Sequence, residues 1–326
     1  MTLKLDKLID KKLFVLLERG IPITERPFLE IGNELGLSED EVLCKIKQFS
    51  DSSLIRRFGA IFDNPRLGYR SALCAVKIGD TDLNRIADYL KLRKEVTHCY
   101  IRNYDINLWF TFSCLDVRFD ENMHEIKEFV LPNKLLFLPA LKRYKISVIF
   151  DLGLNLNNES KLNSNLDINE INRFDELDKK IIKSLRNLQI AKNPFALLSE
   201  ELNIPENTIL DKIINWKNRY ILKRISLIPY HYKIGYKSNA MCVWRVEQKN
   251  LGEIGKFLSS KKEVTHCYER TSYPEFPYNI YAMIHGNSHT ITTKIFRNIS
   301  KELSLNNGKL LFSTKEIKKT SLELFA

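Results

Sequence analysis

The sequence predicts an α+β protein built twice over. Each copy has a helix-turn-helix unit followed by a ferredoxin-like β-α-β-β-α-β sheet domain, and the two sheets are expected to pair face to face. Three observations predict it. The heptad KEVTHCY occurs at residues 94–100 and again at 262–268. Each half opens on apolar residues at helical spacing, and each continues into short segments of alternating polarity.

The duplication spans nearly the whole chain. Between the two heptads, 168 residues separate His98 from His266, and other matches fall close to that offset. LIRRF at 54–58 aligns with ILKRI at 221–225, LGY at 67–69 with IGY at 234–236, and KLLF at 134–137 with KLLF at 309–312. The Asn-rich stretch 151–174 lacks a sustained apolar period and is assigned as a linker. The expected domains are therefore 1–62 and 63–150 in the first half, and 175–229 and 230–326 in the second.

In the first half, Leu5, Leu8, Ile9, Leu13, Leu16 and Leu17 mark one helix. PFLEIGNELGLSEDEVLCKIKQF then reads as a helix, a turn at Gly36, and a helix started by the capping box Ser38 and Glu41. The second half repeats the plan at 177–187, 194–202 and 205–216. Strands are expected at 71–78, 96–102, 107–114 and 135–149, with helices at 82–92 and 121–130.

Side chains two apart on a strand share a face, so Val96, His98, Tyr100 and Arg102 are expected on one side and Thr97, Cys99 and Ile101 on the other. On the next strand Leu108, Phe110, Phe112 and Cys114 suit the helix-covered face, which leaves Asn107, Trp109, Thr111 and Ser113 beside the His-Tyr-Arg trio. The matching set in the second half is His266, Tyr268 and Arg270 with Asn279, Tyr281, Met283 and His285. Such a face either forms a satisfied polar network between the sheets or binds a ligand. Its duplication favours the ligand. Trp109 is expected to serve partly as packing, and His124, His231 and His289 are given surface or packing roles, with His231 kept as an outside candidate.

A chain of 326 residues with 44% hydrophobic content can bury several cores. No apolar run reaches the ~18 residues a spanning helix needs, and the N-terminus MTLKLDKLIDKK does not read as a signal peptide, so a cytoplasmic protein without a membrane partner is expected. The six cysteines are scattered with no C-x-x-C pair, which argues against a zinc site or a disulfide scaffold. The net charge of +11 favours an anionic partner.

A helix-turn-helix followed by a ferredoxin-like domain resembles the Lrp/AsnC transcription regulators, which dimerise through their sheets. The fused duplicate implies such a pseudo-dimer within one chain, with further homo-oligomers left open. The presumed recognition helix, however, begins Ser38-Glu39-Asp40-Glu41, and carboxylates there repel a duplex while suiting a structural helix. Nucleic acid is an unlikely partner on this ground, although Arg56, Arg57, Lys223 and Arg224 form basic clusters just beyond. A regulator, heme-responsive or not, is the second reading.

Longer motifs carry a more specific resemblance. IPITERPF, LIRRFGAIFDNPRLGY, VTHCYIRNYDINLWFTF and LPALKRYKI in the first half, and VTHCYERTSYPEFPYNIYAMIHG and LLFSTKEIKKTSLELF in the second, look like the siroheme decarboxylases. That resemblance implies loss of CO2 from two acetate side chains of siroheme, giving didecarboxysiroheme for heme d1 or alternative heme synthesis. It implies no added cofactor and no protein-bound metal, since the iron belongs to the substrate. A flat ring edged with carboxylates needs cations around apolar walls. Arg102 and Arg270 can grip carboxylates bidentately, Lys142 and Lys145, or Lys315, Lys318 and Lys319, can add charge, and Trp109 or Tyr281 can lie against the ring. From His98 to Arg102 a strand spans roughly 13 Å, comparable to a tetrapyrrole. His98 and His266 are the expected proton donors or carboxylate positioners, with Tyr100 and Tyr268 as hydrogen-bonding neighbours and His285 as an alternative donor or iron ligand. The halves differ, since 172 residues separate Asn107 from Asn279 and the second half inserts residues around 273–277, so one competent pocket or two are both open.

Overall fold

The structure, a computed structural model, describes residues 7–146, 152, 154, 172–230, 233 and 238–325. Most of the 151–174 linker, the 147–149 end of the expected last strand of the first half, His231 and the 234–236 repeat match lie outside the described residues.

The first helical unit comprises α1 (Leu8–Arg19), α2 (Pro27–Leu35) and α3 (Glu39–Asp51). Pro27 starts α2, left-handed Gly36 ends it, and the capping box of Ser38 and Glu41 opens α3 as the sequence indicates. The second unit repeats this with α6 (Glu176–Leu185), α7 (Pro194–Leu202) and α8 (Glu206–Asn218), where left-handed Asn203 replaces the glycine. Two strands unforeseen in the sequence follow the helices, β1 (Ile55–Phe62) and β6 (Leu222–Pro229), and they pair antiparallel with each other. They contain the LIRRF and ILKRI repeats. Their pairing joins the two helical units around one apolar core that includes Phe14, Phe28, Phe49, Phe195, Ile209 and Trp216. At Gly59, φ is +154° and a Cβ would lie 2.3 Å from the Arg186 carbonyl, so only glycine lets β1 pass this close to the end of α6.

The sheet domains comprise β2 (Tyr69–Val76), α4 (Asp80–Leu92), β3 (Val96–Arg102), β4 (Leu108–Leu115), α5 (Phe119–Val130) and β5 (Leu135–Ile146), then β7 (Ser238–Trp244), α9 (Leu251–Ser260), β8 (Val264–Arg270), β9 (Ile280–Gly286), α10 (His289–Glu302) and β10 (Lys309–Lys319). The two β-α-β-β-α-β sheets meet through their open faces, and they are also stitched along both edges into a closed barrel, β10-β3-β4-β2-β5-β8-β9-β7. The stitching uses the long last strands. Strand β5 pairs first with β2 and then, from Ala140, with β8, while β10 pairs first with β7 and then, from Ser313, with β3.

Each half keeps its own helix-on-sheet core, one with Val96, Cys99, Phe110 and Phe112, the other with Trp244, Val264, Cys267 and Ile284. A third core fills the barrel with Trp109, Leu138, Met241, Val243, Phe276, Tyr281 and Leu311. The inserted 273–277 segment supplies Phe276, fully buried with its ring 5.2 Å from Trp109 and 4.7 Å from Tyr278. The ladders correct one repeat alignment. Leu138 pairs with Leu73 and Leu311 with Met241, so these two leucines are equivalent and the KLLF tetrads are out of step. The tetrads match in letters because both are apolar strand starts.

Candidate active site

Both trios stand on the barrel side of their strands, away from the helix-packed cores. Val96 does not share their face. The ladder shifts register between Val96 and His98, and again between Val264 and His266, so each valine packs under the helices while the imidazole two residues on faces the other way. The duplicated geometry is close. His98 Nδ1 lies 3.0 Å from Thr97 Oγ1 and His266 Nδ1 3.0 Å from Thr265 Oγ1, and the ring centroids of His98 and Tyr100, like those of His266 and Tyr268, are 6.3 Å apart. Arg102 Nη1 donates to the Leu311 carbonyl at 2.9 Å, and Arg270 Nη1 to the Leu138 carbonyl at 2.7 Å. In both guanidiniums the buried Nε has no protein acceptor.

The first trio lies on the seam where β3 meets β10. Lys319 is opposite His98 and Glu316 opposite Tyr100. Burial, then Lys319 and Arg56 of β1, lower the His98 pKa to about 4, and burial with Lys319 lowers His285 of β9 to about 4. Tyr100 is pushed up to about 12 by burial and Glu316. Burial lowers Arg102 to about 10 and also lowers Lys319, with Arg56 acting in the same direction on the lysine. Two neutral imidazoles, a protonated phenol and several cations therefore converge here at neutral pH.

The second trio lies on the seam where β8 meets β5, and its surroundings differ. Ile146 is opposite His266 and Arg143 opposite Tyr268. Arg143 Nη1 contacts Asp63 at 3.0 Å, and Lys223 of β6 reaches the same carboxylate at 2.7 Å. Burial alone would raise the Asp63 pKa, but Lys223 and Arg143 hold it below the usual carboxylate range. Tyr268 is raised by burial. The position equivalent to His285 is Ser113, whose hydroxyl is 2.7 Å from that of Ser71.

Several residues singled out in the sequence stand elsewhere. Asn107 and Asn279 precede their strands and use both ends of their amides on backbone. Asn107 accepts from Ile78 N–H at 2.9 Å and donates to its carbonyl at 2.8 Å, and Asn279 does the same with Val246 at 2.9 and 2.8 Å. They staple loops. Trp109 and Tyr281 are 1% and 2% exposed in the barrel core, which removes them as an open wall. Lys145 and Lys318 sit opposite Cys267 and Cys99, on the helix side, with their ammonium groups on the carbonyls of Lys261 and Arg93 at 2.8 and 2.6 Å. Lys142 is exposed over the Tyr144 ring, whose edge fills the space above Gly255 of α9. Register shifts between Arg143 and Lys145 and between Glu316 and Lys318 turn Lys145 and Lys318 to the helix side, because they reverse the parity a regular strand would have. The charged groups that do face the trios across the seams are Lys319, Glu316 and Arg143. Arg56 of β1, Asp63 just beyond it and Lys223 of β6 join them, and of these three the sequence singles out only Arg56 and Lys223, as basic clusters. Among the described residues no group of His, Cys, Asp and Glu is placed to hold a metal, and the cysteines are free.

Glu39 at the start of α3 is ion-paired with Arg26, and Asp40 reaches Lys192 of the second unit at 2.8 Å.

This duplicated barrel with two helical units defines an AsnC-like ligand-binding architecture. The AsnC-like ligand binding domain model matches residues 66–145 and 233–318, and the siroheme decarboxylase NirDL-like HTH domain model matches 10–56. A siroheme decarboxylase of Hydrogenobacter thermophilus is 30% identical over 97% of this chain and 94% of its own length. A siroheme decarboxylase beta subunit of Methanosarcina barkeri is 34% identical over 46% of this chain and 100% of its own length. The crystal structure of the siroheme decarboxylase NirDL in complex with an iron-uroporphyrin III analogue is similar with a TM-score of 0.76 at 27% identity, covering 98% of this chain and 95% of that one. The chain belongs to the siroheme decarboxylase family. No helix among the described residues is long and apolar enough to cross a membrane.

Proposed function

We propose that this chain is a carboxy-lyase that binds siroheme at the β3–β10 seam and removes CO2 from two of its acetate side chains, giving didecarboxysiroheme. The observation that carries this reading is the convergence on one seam of His98, His285, Tyr100, Lys319 and Arg56, beside the buried Arg102. Membership of the family supports it, as does the iron-uroporphyrin analogue in the NirDL relative.

Arg56, Lys319 and Arg102 hold carboxylates of the ring, with Arg102 offering its Nε inside the barrel. Each decarboxylation breaks the bond between an acetate methylene and its carboxyl carbon. The electron pair stays on the methylene, where the macrocycle delocalises it, and one proton completes a methyl group while CO2 leaves. Before substrate binds, His98 is neutral at neutral pH. Substrate carboxylates offset the field of Lys319 and Arg56, so His98 takes up a proton on binding and delivers it to the methylene. Tyr100, protonated throughout the neutral range, donates a hydrogen bond to the departing carboxylate. The reaction needs no added cofactor, because the iron arrives with the substrate.

Anaerobic incubation of the purified chain with siroheme, followed by product mass, tests this. Loss of two CO2 units is expected. Siroheme bound but returned intact would mark a carrier, and unchanged siroheme with tight duplex binding would mark a regulator.

A further inference from the structure

The two seams are related by the internal two-fold, yet the residues facing them have parted. Arg56 and Lys223 are equivalent cations, one on β1 and the other on β6. Around them Glu316 corresponds to Arg143, Lys319 to Ile146 and His285 to Ser113. Tyr230 corresponds to Asp63, since Tyr230 N–H donates to the Leu54 carbonyl at 2.9 Å as Asp63 N–H donates to that of Ile221 at 2.8 Å.

We infer that Asp63 is a built-in stand-in for a substrate carboxylate, which occupies the anion position of the β8–β5 seam and leaves the chain one tetrapyrrole site instead of two. Its side chain is 14% exposed and lies between an ammonium on β6 and a guanidinium on β5, which is the setting a bound carboxylate would require. A tethered carboxylate acts at an effective concentration of about millimolar or more, so a diffusing rival has to displace it from both cations. The same ion triplet ties the β1–β6 pair to the barrel and stands beside Tyr268. The first seam has a tyrosine at this backbone position, and its cations act on the trio instead. The inference rests on the β3–β10 seam being the tetrapyrrole site.

Spectrophotometric titration with iron-uroporphyrin III counts the sites. The native chain is expected to bind one per chain, Asp63→Asn two, and Asp63→Asn combined with His266→Ala one tight and one weakened by at least ~10-fold. Because Asp63→Asn also loosens the contact between β6 and the barrel, the reciprocal Tyr230→Asp provides a second arm and is expected to weaken the single native site by at least ~10-fold. Two sites in the native chain overturn the inference. So does a single native site that His266→Ala removes and His98→Ala spares, or a folded Asp63→Asn variant that still binds one while Tyr230→Asp binds normally. If no variant binds the probe at all, the proposed function fails with it. That result is distinct from one site in the wrong seam.

Discussion

The β3–β10 and β8–β5 seams repeat each other in backbone down to their register shifts, and the Thr, His, Tyr and Arg contacts recur almost atom for atom. What differs is the ring of side chains donated from other strands: lysine, histidine and a tyrosine position on one side, isoleucine, serine and aspartate on the other. A duplicated motif therefore does not make duplicated surroundings. The shared trio sets a geometry, and its neighbours across the seam set the local charge.

Exchange of single residues sharpens that contrast. The largest expected effect is His98→Ala, which should lower the decarboxylation rate by ~10²–10⁴, while His266→Ala changes it by less than about threefold. Single-turnover assays on folded protein separate the two, and equal losses would erase the contrast. Next, Lys319→Ile, which copies Ile146 of the other seam, should weaken iron-uroporphyrin III binding ~10- to 100-fold.

Asn107→Ala and Asn279→Ala should each cost about 1–3 kcal/mol in thermal or denaturant unfolding, with the remaining folded protein binding tetrapyrrole normally, because each amide serves one loop in its own half. The pH profile follows from His98 and His285, both lowered from 6.5 to about 4 by burial first. The unfolded chain binds their protons more readily. Stability is therefore fully present above about pH 6.5 and falls as the pH drops toward 4, and His98→Ala should flatten part of that fall in unfolding curves collected across the range. The smallest effect is expected for Lys145→Met and Lys318→Met, which should leave activity within about twofold because both ammoniums face away from the trios.

Much of this molecule could be read from its letters. The two-copy plan, the capping box at Ser38, the β-α-β-β-α-β order and the helix-facing row Leu108, Phe110, Phe112 and Cys114 follow from local periodicity, and the structure has them. The trios' shared face was also readable, because His98, Tyr100 and Arg102 lie beyond the register shift. Val96 lies before it and was misplaced. Lys145 and Lys318 were named for their charge alone, and register shifts turn them to the helix side. A strand's parity is local only until a register shift, and the shift depends on a partner strand, β4 in the same half for Val96 and a strand of the other half for Lys145 and Lys318. Lys319 was among the lysines named for charge, but Asp63 and Arg143 were harder still. Their significance depends on β1 pairing with β6 and on β5 and β10 crossing between halves, contacts that no window along one segment reveals.

Those crossing strands also bear on how the molecule can be taken apart. Strand β5 finishes the sheet begun by β8 and β9, and β10 finishes the one begun by β3 and β4. Produced alone, either half would carry two raw hydrogen-bonding edges beside an uncovered apolar face, the conditions under which sheets recruit strangers. Expressed separately, each is expected to precipitate or self-pair, and soluble material should appear when both are made together. Covalent fusion then works as a fixed stoichiometry, guaranteeing every copy a mate at birth.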